Sequence, residues 1–106
     1  MNSPVNSTIK VLTLRIQENL VSTNAASFRE RLSSELDAAS AGRPAVVDVD
    51  LCGAKMIDSV GLNLIVMVIK RVQSWDGKTR LLVDDANVAR TLRFTRLDIH
   101  AEIVAN

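Results

Sequence analysis

Apolar positions along the chain repeat with two different periods, and the changes of period mark its elements. In I-K-V-L-T-L-R-I, residues 9–16, the apolar Leu12, Leu14 and Ile16 alternate with Thr13 and Arg15, the pattern of a strand buried on one face. From Ser22 to Ala39 the spacing lengthens: Ala25, Phe28, Leu32, Leu36 and Ala39 recur every three or four positions. This predicts an amphipathic helix with Asn24 as a cap and Gly42-Arg43-Pro44 as the stop. Ala45 to Leu51, A-V-V-D-V-D-L, is short and valine-rich and predicts a second strand. Ser59 to Trp75 is apolar over nearly its whole circumference, as a mostly buried helix would be. Leu62, Ile65, Val66, Ile69 and Val72 form the stripe expected to pack inward, and Asn63, Met67, Lys70 and Ser74 form another. Asp76-Gly77 then makes a turn and Thr79 to Val83 a third strand. Val88 to Thr95 makes a short helix capped from Asp85 or Asn87, and Ile99 to Val104 the last strand.

Strands alternating with helices imply an α/β sheet of about four, mostly parallel strands, joined by right-handed crossovers with helices packed on it. A chain of 106 residues with 47% hydrophobic content has material for one core. The expected layout is a flexible segment over residues 1–8 and one domain over 9–106.

Composition narrows the function. Thirteen Lys and Arg stand against 12 Asp and Glu, a formal charge of +1, so the basic footprint of a nucleic-acid binder is missing and no nucleic acid is expected. The single cysteine, Cys52, and single histidine, His100, leave no internal disulfide and no ligand set for structural zinc. The start, M-N-S-P-V-N-S-T, has neither a basic nor an apolar leader region, and the longest apolar run, Leu64 to Ile69, falls short of the ~20 residues that span a bilayer. A cytoplasmic protein without membrane insertion is expected.

The residues offer little to catalysis. A serine hydrolase needs a base, and His100 is the only histidine; no G-x-S-x-G elbow exists. Glycines at 42, 53, 61 and 77 form no phosphate-cradling loop. Asp48, Asp50 and Asp58 read as solvated or hydrogen-bonded carboxylates rather than metal ligands. Cys52 reads as a small buried thiol, His100 as a surface residue and Trp75 as a lid on the core. Arg90, Arg93 and Arg96 lie three apart and could share one side of the short helix and its end, by default a solvated face. The stretch M-I-D-S-V-G-L, residues 56–62, stands out because Asp58 and Ser59 together open the long helix. Either can be its N-cap, and a serine there is also a handle for modification.

D-L-C-G-A-K-M-I-D-S-V-G-L, residues 50–62, resembles the signature of STAS domains, and within them of bacterial anti-sigma factor antagonists. There a strand ending Asp-Leu leads through a short loop to Asp-Ser-x-Gly-Leu at a helix start. The resemblance runs from about Val11 to Ile103, through D-G-K-T-R-L-L-V and N-V-A-R-T-L-R-F-T-R-L-D. It departs at E-N-L-V-S-T-N, residues 18–24, where a Gly-x-Leu-Asp turn is more usual, at Val60, where a second Ser or Thr is frequent, and at Arg96, where a glycine is common.

The resemblance implies a STAS-type fold and a regulatory protein without enzymatic activity or cofactor. Its unphosphorylated form would bind an anti-sigma factor that is itself a serine kinase, freeing the sigma factor. Phosphorylation of the matching Ser59 would end that binding, and a serine phosphatase would reverse the mark. The expected partner face comprises Asp58, Ser59, Val60, Gly61, Asn63 and Met67. Gly61 is expected to admit a partner backbone close to the helix start, and Met67 to supply an adaptable outer contact. Two other roles remain open: a STAS subunit, never phosphorylated, that regulates or scaffolds a lipid-transport ATPase or stress-signalling complex, and a small-ligand or nucleotide sensor.

Overall fold

A computed structural model describes residues 10–105; the expected flexible segment at 1–8, Ile9 and Asn106 lie outside the described residues. The element order is β1 (Val11–Arg15), α1 (Ala25–Ser40), β2 (Val46–Asp50), α2 (Ser59–Gln73), β3 (Lys78–Val83), α3 (Ala86–Phe94), a 3-10 turn (Leu97–Ile99) and β4 (Glu102–Ala105). The four strands form one sheet in the order β1-β2-β3-β4, and every pair is parallel.

Right-handed crossovers between strands laid down in sequential order put all the helices on one side of the sheet. Register explains the pattern of side chains. Leu14, Val49, Leu81 and Ile103 share a row on the helix side, and the first three are 0% exposed. The adjacent row, Thr13, Asp48, Arg80 and Glu102, belongs to the opposite face, where Arg80 reaches Asp48 with two hydrogen bonds of 2.6 and 2.8 Å. Asp48 is thus a salt-bridge partner, and among the described residues no group of three or more His, Cys, Asp or Glu side chains is placed to hold a metal ion.

α1 buries Ala25, Phe28, Leu32 and Leu36, four positions of the stripe that the spacing predicts; the fifth, Ala39, is half-buried near the helix end. Asn24 occupies its N-cap position but makes no side-chain cap bond; its amide instead donates to the Asn19 carbonyl at 2.7 Å and its oxygen accepts from Val21 N–H at 3.0 Å. α2 departs from expectation. Its buried residues are Gly61, Leu64, Ile65, Val68, Ile69 and Val72, while Leu62 and Val66 are half-buried. The inward face is therefore turned toward Leu64 and Val68, because α1 packs beside α2 and covers part of a circumference that is apolar all round. Trp75 is half-buried against the core and donates its indole N–H to the Pro44 carbonyl at 2.9 Å, as a lid would.

The last strand starts later than the sequence suggests. Arg96 adopts a left-handed conformation (φ 66°), which ends the α3 segment and winds Leu97–Ile99 into a turn before β4. No helix among the described residues is long and apolar enough to cross a membrane.

Candidate functional site

In parallel strands with helices between them, the loops that follow strand C-termini gather at one end of the sheet. Here these are the 16–24 segment after β1, the 51–58 segment after β2 and Asp84-Asp85 after β3.

Side-chain oxygens zip these loops together. Asp50 accepts from the Cys52 N–H and from the Gln17 amide, each at 3.0 Å. Gly53, held at φ 96°, donates its N–H to Asp84 at 2.9 Å. The Asn19 oxygen accepts from both Lys55 N–H (2.7 Å) and Met56 N–H (3.1 Å). Leu20 then pairs with the second loop as a short parallel bridge to Ile57, its N–H donating to Met56 and its carbonyl accepting from Asp58 N–H. Asn19 and Leu20, in the segment that departs from the family pattern, thereby fix the approach to α2. Sequence reading missed both, because the signal for a side chain that clasps a loop 36 positions away is not periodic.

Asp58 is the N-cap. Its backbone is extended (φ −97°, ψ −176°) and its side chain accepts from Gly61 N–H at 2.9 Å through Oδ1, while Oδ2 accepts from Ser22 N–H at 2.7 Å. The Gly61 N–H, followed by those of Ser22 and Val60, holds the carboxyl below the ordinary carboxylate range, since each donor favours the charged form. At neutral pH a negative charge thus stands at the start of α2, where the helix dipole favours it.

Because Asp58 takes the cap, Ser59 is released from it. Ser59 is the first residue of α2 and exposed, and its hydroxyl makes no hydrogen bond among the described residues, since Gly61 N–H goes to the Asp58 side chain and Leu62 N–H to the Asp58 carbonyl. Val60 (41%) and Met56 (58%) are exposed apolar neighbours along the chain. Asn63 is exposed and Met67 half-buried, and both line a shallow groove along α2 with Val66, Lys70, Arg71 and Ser74.

Gly61 differs from the other five expected partner residues. It is buried, and a Cβ placed on it would overlap the Leu20 carbonyl and lie 3.0 Å from Leu20 Cγ. The close backbone approach that the glycine allows is internal, made by the chain's own Leu20. Cys52 is half-buried in the same loop, and His100 is exposed at the far end of the sheet, before β4.

The STAS domain family model matches residues 2–105, and the chain belongs to that family. A crystal structure of a candidate anti-sigma factor antagonist from Thermotoga maritima is similar to it, with a TM-score of 0.77 and 27% identity over 91% of this chain and 79% of that one. Comparison with curated protein sequences gives no match.

Proposed function

We propose that this STAS domain is a cytoplasmic anti-sigma factor antagonist, a binding switch without catalytic activity. Unphosphorylated, it binds an anti-sigma factor with serine kinase activity and so releases the sigma factor; phosphorylation of Ser59 by that kinase ends the binding, and a serine phosphatase restores it. The observation that carries the reading is the Ser59 hydroxyl: exposed, first in α2, and left unbonded because Asp58 caps the helix in its place. The likeness to the Thermotoga maritima protein supports the general role.

The chemistry of the switch follows from that arrangement. The kinase needs a hydroxyl that its active site can reach, and an exposed first-turn serine whose hydroxyl is unbonded among the described residues gives it one. The partner face is built from Asp58, Ser59, Val60, Asn63 and Met67, with Met56 beside them and Gly61 fixing the backbone beneath. Phosphorylation adds about −1.5 to −2 charge next to the ionised Asp58. The helix end tolerates that charge, but an interface fitted to a neutral hydroxyl must desolvate it, at a cost of a few kcal/mol.

The test starts with affinity capture of partners and their identification by mass spectrometry. The captured kinase and ATP then modify the protein, the phosphate is mapped, and four forms are titrated: unmodified, phosphorylated, Ser59→Asp and Ser59→Ala. Phosphorylation is expected to lower affinity by one to three decades, at about 1.4 kcal/mol per decade. Ser59→Asp should reproduce part of the loss, and Ser59→Ala should bind without being switched. Phosphate found only on another residue, equal affinity of Ser59→Asp and wild type, or capture of a membrane transporter in place of a kinase overturns the switch and favours the scaffold role.

A further inference from the structure

A second surface lies on a different element. α3 packs on β3 and β4, burying Val88, Ala89 and Leu92. Its outer side carries Ala86, Arg90, Arg93 and Phe94, which line one shallow cleft. The chain has three aromatic residues. Phe28 is buried, Trp75 packs on the core, and Phe94 is 86% exposed. Arg90, Arg93 and the following Arg96 are all exposed, and among the described residues none of them is ion-paired. Asp84 and Asp85 flank Arg93 on its other side, but their carboxylates are engaged by the N–H groups of Gly53, Asn87 and Val88.

A cation in the last turn of a helix is stabilised by the dipole, which accounts for Arg93 alone. It does not account for Arg90 one turn earlier, nor for a phenylalanine left in water between arginines. Aromatic residues and arginine are the types enriched at protein interfaces, while lysine is depleted there, and the planar guanidinium matches a carboxylate with two parallel hydrogen bonds. Arg96 adds to the picture: it holds a left-handed conformation (φ 66°) that glycine would adopt without strain.

We infer that the Arg90–Arg93–Phe94 stripe, extended by Arg96, docks an acidic segment of a protein partner in which carboxylates flank an apolar side chain. The arginines select the carboxylates, and the Phe94 ring covers the apolar residue. Charge complementarity favours this occupant over a membrane: the chain as a whole carries only +1, and stable attachment to lipid takes two strong signals, of which one phenylalanine and three arginines supply a weak version. The surface does not involve Ser59 and stands independently of the phosphorylation switch.

The experiment titrates isotopically labelled full-length protein with synthetic peptides and follows the backbone amide signals. One peptide has glutamates on both sides of a Leu-Phe pair; a second replaces the glutamates by lysines, and a third replaces the Leu-Phe pair by serines. Vesicles containing phosphatidylserine form a separate arm. The glutamate–Leu-Phe peptide is expected to shift amides of residues 86–96, to bind more weakly as ionic strength rises, and to lose at least about tenfold in affinity with Arg90→Glu and with Phe94→Ser. Both side chains are exposed, so both variants should keep the wild-type spectrum elsewhere. The peptide should bind Ser59→Asp as it binds wild type. Equal binding of the lysine peptide, shifts absent from α3, or affinity indifferent to both variants overturns the proposal. Phe94-dependent binding to vesicles without peptide binding assigns the surface to lipid, and a dimer broken by Arg90→Glu assigns it to a second copy; either also overturns it.

Discussion

Gly61 lies flush against the carbonyl of Leu20, so that the first turn of α2 and the loop after β1 touch backbone to backbone. The Asp58 N–H donates to the same carbonyl at 3.2 Å. Two opposed effects meet at Gly61→Ala. Alanine in a helix is favoured over glycine by about 1 kcal/mol, whereas forcing a methyl into a closed contact costs about 1–3 kcal/mol. The nearest obstructing atom is the Leu20 carbonyl oxygen, which is backbone and cannot swing aside, so the clash should win. Gly61→Ala is expected to lower the melting temperature, by about 4–8 °C per kcal/mol of net loss; a rise would show that the loop does not seat there.

Asp58 should give the domain a pH-dependent component of stability. Its carboxyl titrates below the ordinary value of 3.8 because backbone N–H groups, that of Gly61 first, favour its charge. With the folded value depressed, the contribution is fully present above the ordinary value and fades as pH falls through the lower folded one. Asp58→Asn supplies one acceptor oxygen where the native side chain uses two, for Gly61 and Ser22. It should be less stable at neutral pH, and urea midpoints of the two proteins should converge below pH 3.8. Parallel midpoints across the whole range would assign the acid sensitivity elsewhere.

The inward face of α2 can be tested by a pair of truncations. Leu64 is 0% exposed, and Leu64→Ala should cost about 2–5 kcal/mol through lost contacts and a residual cavity. Leu62 is half-buried, and its truncation should cost clearly less. Chemical denaturation of both variants decides the matter, and a reversed order would restore the face that spacing alone suggests.

The strand rows and the stripe of α1 were legible because one face of each is polar, which leaves a period to read. α2 has apolar residues all round, so its orientation comes from α1 beside it and from Gly61 docking on Leu20, both tertiary facts. The start of α2 was legible as Asp58-Ser59 but the cap was not: both side chains can cap, and the choice is made by an extended backbone at Asp58 and by Ser22 reaching the same carboxylate. Ile99 read as the start of the last strand because it is β-branched and apolar. It lies in the 3-10 turn, 59% exposed, since the left-handed Arg96 redirects the chain before it.

Arg96 provides a further prediction. A side chain at φ 66° carries strain of about 1 kcal/mol or more that glycine avoids, although glycine also frees the unfolded chain and returns part of that gain. Arg96→Gly should therefore be neutral to about 1 kcal/mol more stable in a thermal melt, while binding the glutamate–Leu-Phe peptide more weakly. A destabilised variant would mean that the arginine side chain supports the fold itself.

A charge at residue 59 could abolish binding in two ways. It could unfold the start of α2, or leave the fold intact and spoil the interface. An acidic group in the first helical turn gains about 0.3–1 kcal/mol from the dipole, and repulsion from the neighbouring Asp58 opposes it by a similar amount in solvent. Among the described residues the Ser59 hydroxyl has no hydrogen bond to lose, and the cap bonds belong to Asp58. Ser59→Ala and Ser59→Asp should both melt within about 4 °C of wild type, a change under about 1 kcal/mol, which is smaller than the one to three decades of affinity that the switch requires. Retained stability together with lost binding locates the switch at the surface. A fall of more than about 8 °C in Ser59→Asp, corresponding to over 1 kcal/mol, would mean that the charge acts by melting the helix start.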